Sequence, residues 1–123
     1  MTSEKSLMIV DDSKVSRMMI TAIIKEKTPE LLLYEASNAD EALSLSKGKN
    51  INFFSVDYNM PGKNGMDLIL ELKKIFPDSR FALLTANIQT AIHEKSKSIG
   101  ATCINKPISD ESIESMLEFF YGN

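Results

Sequence analysis

Five apolar runs recur along the chain, each followed by a segment with helical spacing: residues 7–10 (LMIV), 31–36 (LLLYEA), 51–56 (INFFSV), 80–84 (RFALL) and 101–105 (ATCIN). Most lack the strict polar–apolar alternation of a half-exposed strand, as expected where helices cover both faces of a parallel sheet. Between the runs, Val15, Met18, Met19 and Ala22 fall on one helix face after a possible cap at Ser13, so the methionines of SRMMI read as core packing. Asn38, with Glu41 three residues later, resembles a capping box opening a second helix. A third helix is predicted from about 64 to 76 with Leu68, Ile69 and Leu72 inward, ended by PDS at 77–79. Gly100 fits the stop of a fourth helix from about 90 to 99, and Ser109 opens a fifth carrying Ile113, Met116, Leu117 and Phe120.

This order gives five βα units, the pattern of an open α/β sheet with right-handed crossovers and helices on both faces. There is no internal repeat, low-complexity tract or linker, so residues 1–123 are expected to form one domain. The chain stops soon after the fifth helix, which points to a stand-alone module.

The polar residues at the carboxyl ends of the strands change the picture from architecture to chemistry. Asp11 and Asp12 follow the first strand, Asp57 the third, Thr85 the fourth and Lys106 the fifth, and in an open α/β sheet all five meet on one rim. Taken singly, each has a structural use: Asp12 as a helix cap, Asp57 as a turn former, Thr85 as a strand residue, and Lys106 as a solvated loop residue before proline. Their joint placement is harder to assign to caps and loops.

Three carboxylates at about 5 Å repel by roughly 3 kcal/mol per pair at an effective dielectric near 20, so such a rim calls for a cation or a bound proton. Oxygen donors without a nearby His or Cys point to Mg²⁺ rather than zinc. A carboxylate beside such an ion, an amine and a hydroxyl suits phosphoryl transfer, with Asp57 as nucleophile, Lys106 stabilising charge, and Thr85 bonding to the transferred group.

Composition mainly excludes. A net charge of -3 and a pI near 5.2 give no basic field for a nucleic-acid backbone. One cysteine, Cys103, cannot form an internal disulfide, and the N-terminal apolar run is too short for a signal peptide or membrane span. A monomer in the cytoplasm, without direct nucleic-acid binding or membrane insertion, is the expectation.

The stretches MIVDDS, VDYNMPGKNG, LLTA and INKP together resemble the receiver domain of two-component response regulators, over essentially the whole chain. The resemblance implies a flavodoxin-like, three-layer sheet of order 2-1-3-4-5 and phosphorylation of Asp57 by the phosphohistidine of a histidine kinase or phosphotransfer protein. It also implies a downstream protein partner, with chemotaxis one setting. By the same resemblance, Asp12, Asp57 and the backbone carbonyl of Asn59 hold Mg²⁺, and Asp11 acts mainly through a metal-bound water. Thr85 matches the switch hydroxyl and Lys106 the conserved-role lysine. Pro107 follows in a peptide bond that is commonly cis, while Met60, Pro61 and Gly65 shape the loop after the acceptor. Asn59 and Asn87 match positions that tune self-dephosphorylation, though both also suit ordinary loop hydrogen bonding.

Receivers usually carry Tyr or Phe three residues before the lysine, where this chain has Cys103. Cys103 reads as a small core residue, and His93, among Glu94, Lys95 and Lys97, as solvated. Two other functions compete. One is a receiver-like interaction scaffold whose output is weakly coupled to phosphorylation. The other is a small phosphatase, since DYN has the spacing of an Asp-x-Asp hydrolase motif, but Asn59 cannot supply that motif's second acid.

Overall fold

The computed structural model describes residues 4–86 and 89–122. The elements alternate without exception: β1 (Ser6–Val10), α1 (Lys14–Lys27), β2 (Leu32–Ala36), α2 (Ala39–Ser46), β3 (Phe53–Asp57), α3 (Gly65–Ile75), β4 (Arg80–Thr85), α4 (Thr90–Ser98), β5 (Ala101–Asn105) and α5 (Asp110–Tyr121). All strand pairings are parallel and the order is β2-β1-β3-β4-β5. The chain therefore has the expected flavodoxin-like, three-layer sheet.

Successive residues of each strand alternate faces, which splits the apolar side chains into two cores. Met8, Val10, Phe54, Val56, Phe81 and Leu83 face α2 and α3, with half-buried Ile92 and Ile99 beside them. Leu7, Ile9, Phe53, Ala82, Leu84 and Ile104 face α1 and α5. The two edge strands are less completely buried, because each has a neighbour on one side only: Leu32 and Glu35 of β2 and Asn105 of β5 are exposed.

The helix boundaries follow local polar chemistry. Ser13, Asn38, Asn64 and Ser109 each accept a backbone N–H three residues on, at 3.2, 2.8, 2.9 and 3.1 Å. Ser109 and Ser112 form a reciprocal capping box, the N–H of Ser109 donating to Ser112 Oγ at 2.9 Å. The box expected at Asn38 differs: the Glu41 carboxylate accepts from the N–H and hydroxyl of Ser37, at 2.6 and 3.0 Å, one residue before the cap. Those bonds hold the Glu41 carboxyl below its ordinary value. Gly100 ends α4 with φ +82°, a conformation that side-chain-bearing residues rarely adopt.

One expectation about the core is overturned. Val15, Met18 and Met19 are 65, 59 and 44% exposed and Ala22 is exposed too, so this stripe of α1 faces solvent. Ile20 and Ile24 are the buried pair, with Ile23 half-buried beside them. Helical periodicity identifies two apolar stripes on α1 but not which one meets the sheet; the entry turn after β1 decides that.

Candidate phosphoryl-acceptor pocket

β1 ends by turning Asp11 inward and Asp12 outward, the first buried and the second exposed. One Asp11 oxygen, Oδ1, accepts the Ser13 N–H at 2.8 Å, and Oδ2 lies 3.4 Å from Lys106 Nζ. Capping of α1 falls to Ser13, which leaves Asp12 unused by the helix. Arg17, which no motif singles out, donates Nη1 to the Asp11 carbonyl at 2.5 Å and Nε to Glu35 at 3.0 Å. It thereby braces the acidic turn against β2.

Asp57 ends β3 and is only 5% exposed. Its Oδ1 lies 3.1 Å from Lys106 Nζ, so one ammonium serves both buried carboxylates. Asp11, Asp12 and Asp57 each present an oxygen within 4.8 Å of the others, the one such acidic cluster among the described residues. Burial, then the negative charge of Asp11, raises Asp57 to about 6 against the hydrogen bond and charge of Lys106; Asp12 adds to the rise. For Lys106, burial works against the ammonium, but Asp57 and Asp11 outweigh it and raise its pKa. The pocket is short of positive charge.

Backbone packing fixes the pocket's outline. A Cβ on Gly65 would sit 2.2 Å from the carbonyl oxygen of Asp57, so only glycine allows α3 to start so close to the acceptor. The Gly65 N–H donates to the Tyr58 carbonyl at 3.0 Å, closing the loop between them. In that loop Met60 is buried in the core, while Asn59 and Pro61 are exposed. Thr85 is buried at the end of β4, in register with Asn105, and its carbonyl accepts the Lys106 N–H at 2.9 Å. The Lys106–Pro107 peptide is cis, as the motif implies. Asn87 lies outside the described residues.

Two minor readings need correction. His93 is not merely solvated: its Nε2 donates to Asn105 Oδ1 at 3.1 Å, joining α4 to β5. No spacing could have signalled this pairing between separate elements. Cys103 is half-buried rather than a core residue. Burial raises its thiol pKa against the opposing influence of the nearby Ser96 hydroxyl, which favours the neutral, unreactive form.

An open parallel sheet whose strand ends gather three carboxylates, a lysine and a buried threonine defines an acidic pocket of the phosphoryl-acceptor class. The sequence matches the family model of the response regulator receiver domain over residues 7–118, and the chain belongs to that family, whose members switch through a phosphorylatable aspartate. Among its relatives is the chemotaxis protein CheY of Thermotoga maritima, 35% identical over 88 residues, an alignment that covers 72% of each chain. A receiver-domain (CheY-like) structure from Methanospirillum hungatei superposes with a TM-score of 0.84 at 22% identity, covering 97% of this chain and 95% of that one. A response regulator from Burkholderia pseudomallei, crystallised with a phosphorylated aspartic acid, a calcium ion and citrate, matches with a TM-score of 0.81 at 28% identity. That match covers 94% of this chain and 67% of the other. Against several longer curated relatives, the chain spans only 18, 43 or 46% of their length.

Proposed function

We propose that this chain is one receiver module that accepts a phosphoryl group on Asp57 from a phosphohistidine of a histidine kinase or phosphotransfer protein. The modification then alters its binding to a downstream protein. The observation that carries this reading is Lys106 Nζ, bridging Asp57 at 3.1 Å and Asp11 at 3.4 Å inside a three-carboxylate cluster. An Asp57 carboxylate oxygen attacks phosphorus, the phosphorus–nitrogen bond breaks, and its electron pair returns to the donor imidazole. Lys106 balances negative charge on the transferring oxygens, and the Thr85 hydroxyl hydrogen-bonds the new phosphoryl group. Later hydrolysis of the acyl phosphate resets Asp57, with exposed Asn59 beside the approach of water. The module therefore turns over its own phosphoryl group rather than an external substrate.

The donor set fits a hard divalent ion: three clustered oxygens face a single ammonium, and Asp57 is raised to about 6 without further positive charge. Mg²⁺ would be held by Asp12, Asp57 and the Asn59 backbone carbonyl, with Asp11 acting through a water. When bound, it neutralises the carboxylates and polarises phosphoryl oxygens. The exposed stripe of Val15, Met18, Met19 and Ala22 starts one turn from Asp12, with Lys14 and Lys25 along one flank of the helix. A protein donor that brings its phosphohistidine to the pocket can rest on this stripe. A cytoplasmic location goes with this reading. Chemotaxis is the pathway supported by likeness to the Thermotoga CheY.

With acetyl phosphate and Mg²⁺, the chain should gain one phosphoryl group by mass, and Asp57→Asn should gain none. Equal labelling of the variant overturns the assignment. Cys103 favours a second reading, an interaction scaffold whose partners respond weakly to phosphorylation. It requires amide NMR shifts beyond the pocket to stay unchanged when beryllium fluoride and Mg²⁺ bind.

A further inference from the structure

α4 is attached to the sheet unlike any other helix of the chain. α1, α2, α3 and α5 each bury apolar side chains fully, whereas the only fully buried residue of α4 is Ser96. Gln89 makes no side-chain cap at the start of α4. Between α4, the edge strand β5 and α5 lies an open cavity of about 340 Å³, bordered by His93, Ser96, Ala101, Cys103 and Phe119. Two polar bonds tie it to its neighbours: His93 to Asn105, and the Lys73 ammonium of α3 to the Ile99 carbonyl at the far end, while the Ser96 hydroxyl donates to the His93 carbonyl within the helix.

Asn105 sits at the junction between this helix and the pocket. It is paired in register with Thr85 and precedes Lys106 in the chain, and the Lys106 N–H is bonded to the Thr85 carbonyl. Any movement of Thr85 and Lys106 toward a group on Asp57 therefore reaches Asn105 by one peptide bond and one ladder pair. At 3.1 Å, the His93–Asn105 bond is lost with a displacement of about half an ångström. Half-buried Ile92 and Ile99 are the apolar side chains that hold α4 to the core, and the cavity beside Cys103 leaves room for the helix to shift.

We propose that the His93–Asn105 hydrogen bond is a latch holding α4 in its resting position, and that phosphorylation at Asp57 opens it. The proposal rests on Asp57 being the acceptor. The latch supplies a link between pocket and helix α4 that the small side chain of Cys103 cannot provide by rotating a ring. His93 and Asn105 are positioning residues in this scheme, and neither takes part in phosphoryl transfer.

The test is amide hydrogen exchange of residues 90–98 in the full chain, with and without beryllium fluoride plus Mg²⁺. In the native protein, the analogue should speed exchange about five-fold, the factor one net hydrogen bond contributes. His93→Phe and Asn105→Ala should reach that rate without the analogue and respond little to it, and the double variant should go no further than either single one. Asn105→Asp keeps an acceptor and should restore protection. Native-like protection and a full analogue response in both single variants would overturn the latch, as would an α4 indifferent to the analogue in the native chain. Labelling by acetyl phosphate separates the two levels: an unlabelled native chain refutes the acceptor assignment, whereas a labelled chain with unresponsive α4 refutes the latch alone.

Discussion

The two helices that flank β5 are built on opposite terms. α5 buries Ile113, Met116, Leu117 and Phe120, opens with a reciprocal capping box, and stacks Phe120 on Phe53 with ring centroids 4.8 Å apart. α4 and its C-cap have half-buried Ile92 and Ile99, an open cavity beside them, and hydrogen bonds from His93 and Lys73. Apolar packing is non-directional and resists displacement over a wide area, while a few hydrogen bonds fail together when their geometry shifts. The contrast teaches that one strand can carry both an anchored helix and a responsive one. The lightly packed helix is the one tied to the strand end that enters the pocket.

Truncation should break this comparison most visibly. Phe120→Ala is expected to cost about 3–5 kcal/mol in urea unfolding, and Ile92→Ala only about 1 kcal/mol because its side chain is already half-exposed. Comparable losses at the two sites would remove the distinction between α5 and α4.

The rim that α4 reports on should itself be a source of instability. Asp57 has its pKa raised from 3.8 to about 6 in the folded chain, so the folded state holds more protons than the unfolded state between those values. Stability is therefore lost as pH rises through that window, by about 3 kcal/mol at most above pH 6. Without divalent ions at pH 7, Asp57→Asn should unfold at higher urea than the native chain, and the difference should vanish by about pH 4. A variant no more stable at pH 7 would mean that the pocket charge is already balanced.

The smallest stability effect belongs on α1, where an apolar stripe resembles that of α5 but faces water. Met18→Gln should change unfolding free energy by less than about 0.5 kcal/mol, whereas a buried methionine would cost several times more. Its phosphorylation by acetyl phosphate should match the native chain, while transfer from a protein phosphodonor should slow about ten-fold. A large stability loss would return this stripe to the core; unaltered transfer from the protein donor would remove it from the donor's footprint.

Much of the pocket was legible because its residues lie at strand ends. Once five βα units are recognised, the parallel sheet carries Asp11, Asp12, Asp57, Thr85 and Lys106 to one rim whatever the loop details. The core of α5 was equally legible, since its apolar stripe has no rival on the same helix. On α1 two stripes competed, and the choice between Met18 and Ile20 as the inward residue depended on the turn from β1. Arg17 escaped notice and His93 was read as solvated for a related reason: each gains its role from a residue on another element, Glu35 and Asn105 respectively.

The sequence by itself determined the alternation of strands and helices, most of the caps, and the gathering of acidic, hydroxyl and lysine residues on one edge. These follow from periodicity and from short-range hydrogen bonding, which are local properties of the chain. Only the tertiary structure decided which face of α1 meets solvent, that Cys103 borders an open cavity, and that α4 hangs on polar bonds beside Lys106. Those outcomes depend on how separately folded elements are oriented and how completely the space between them fills, and no local pattern encodes either.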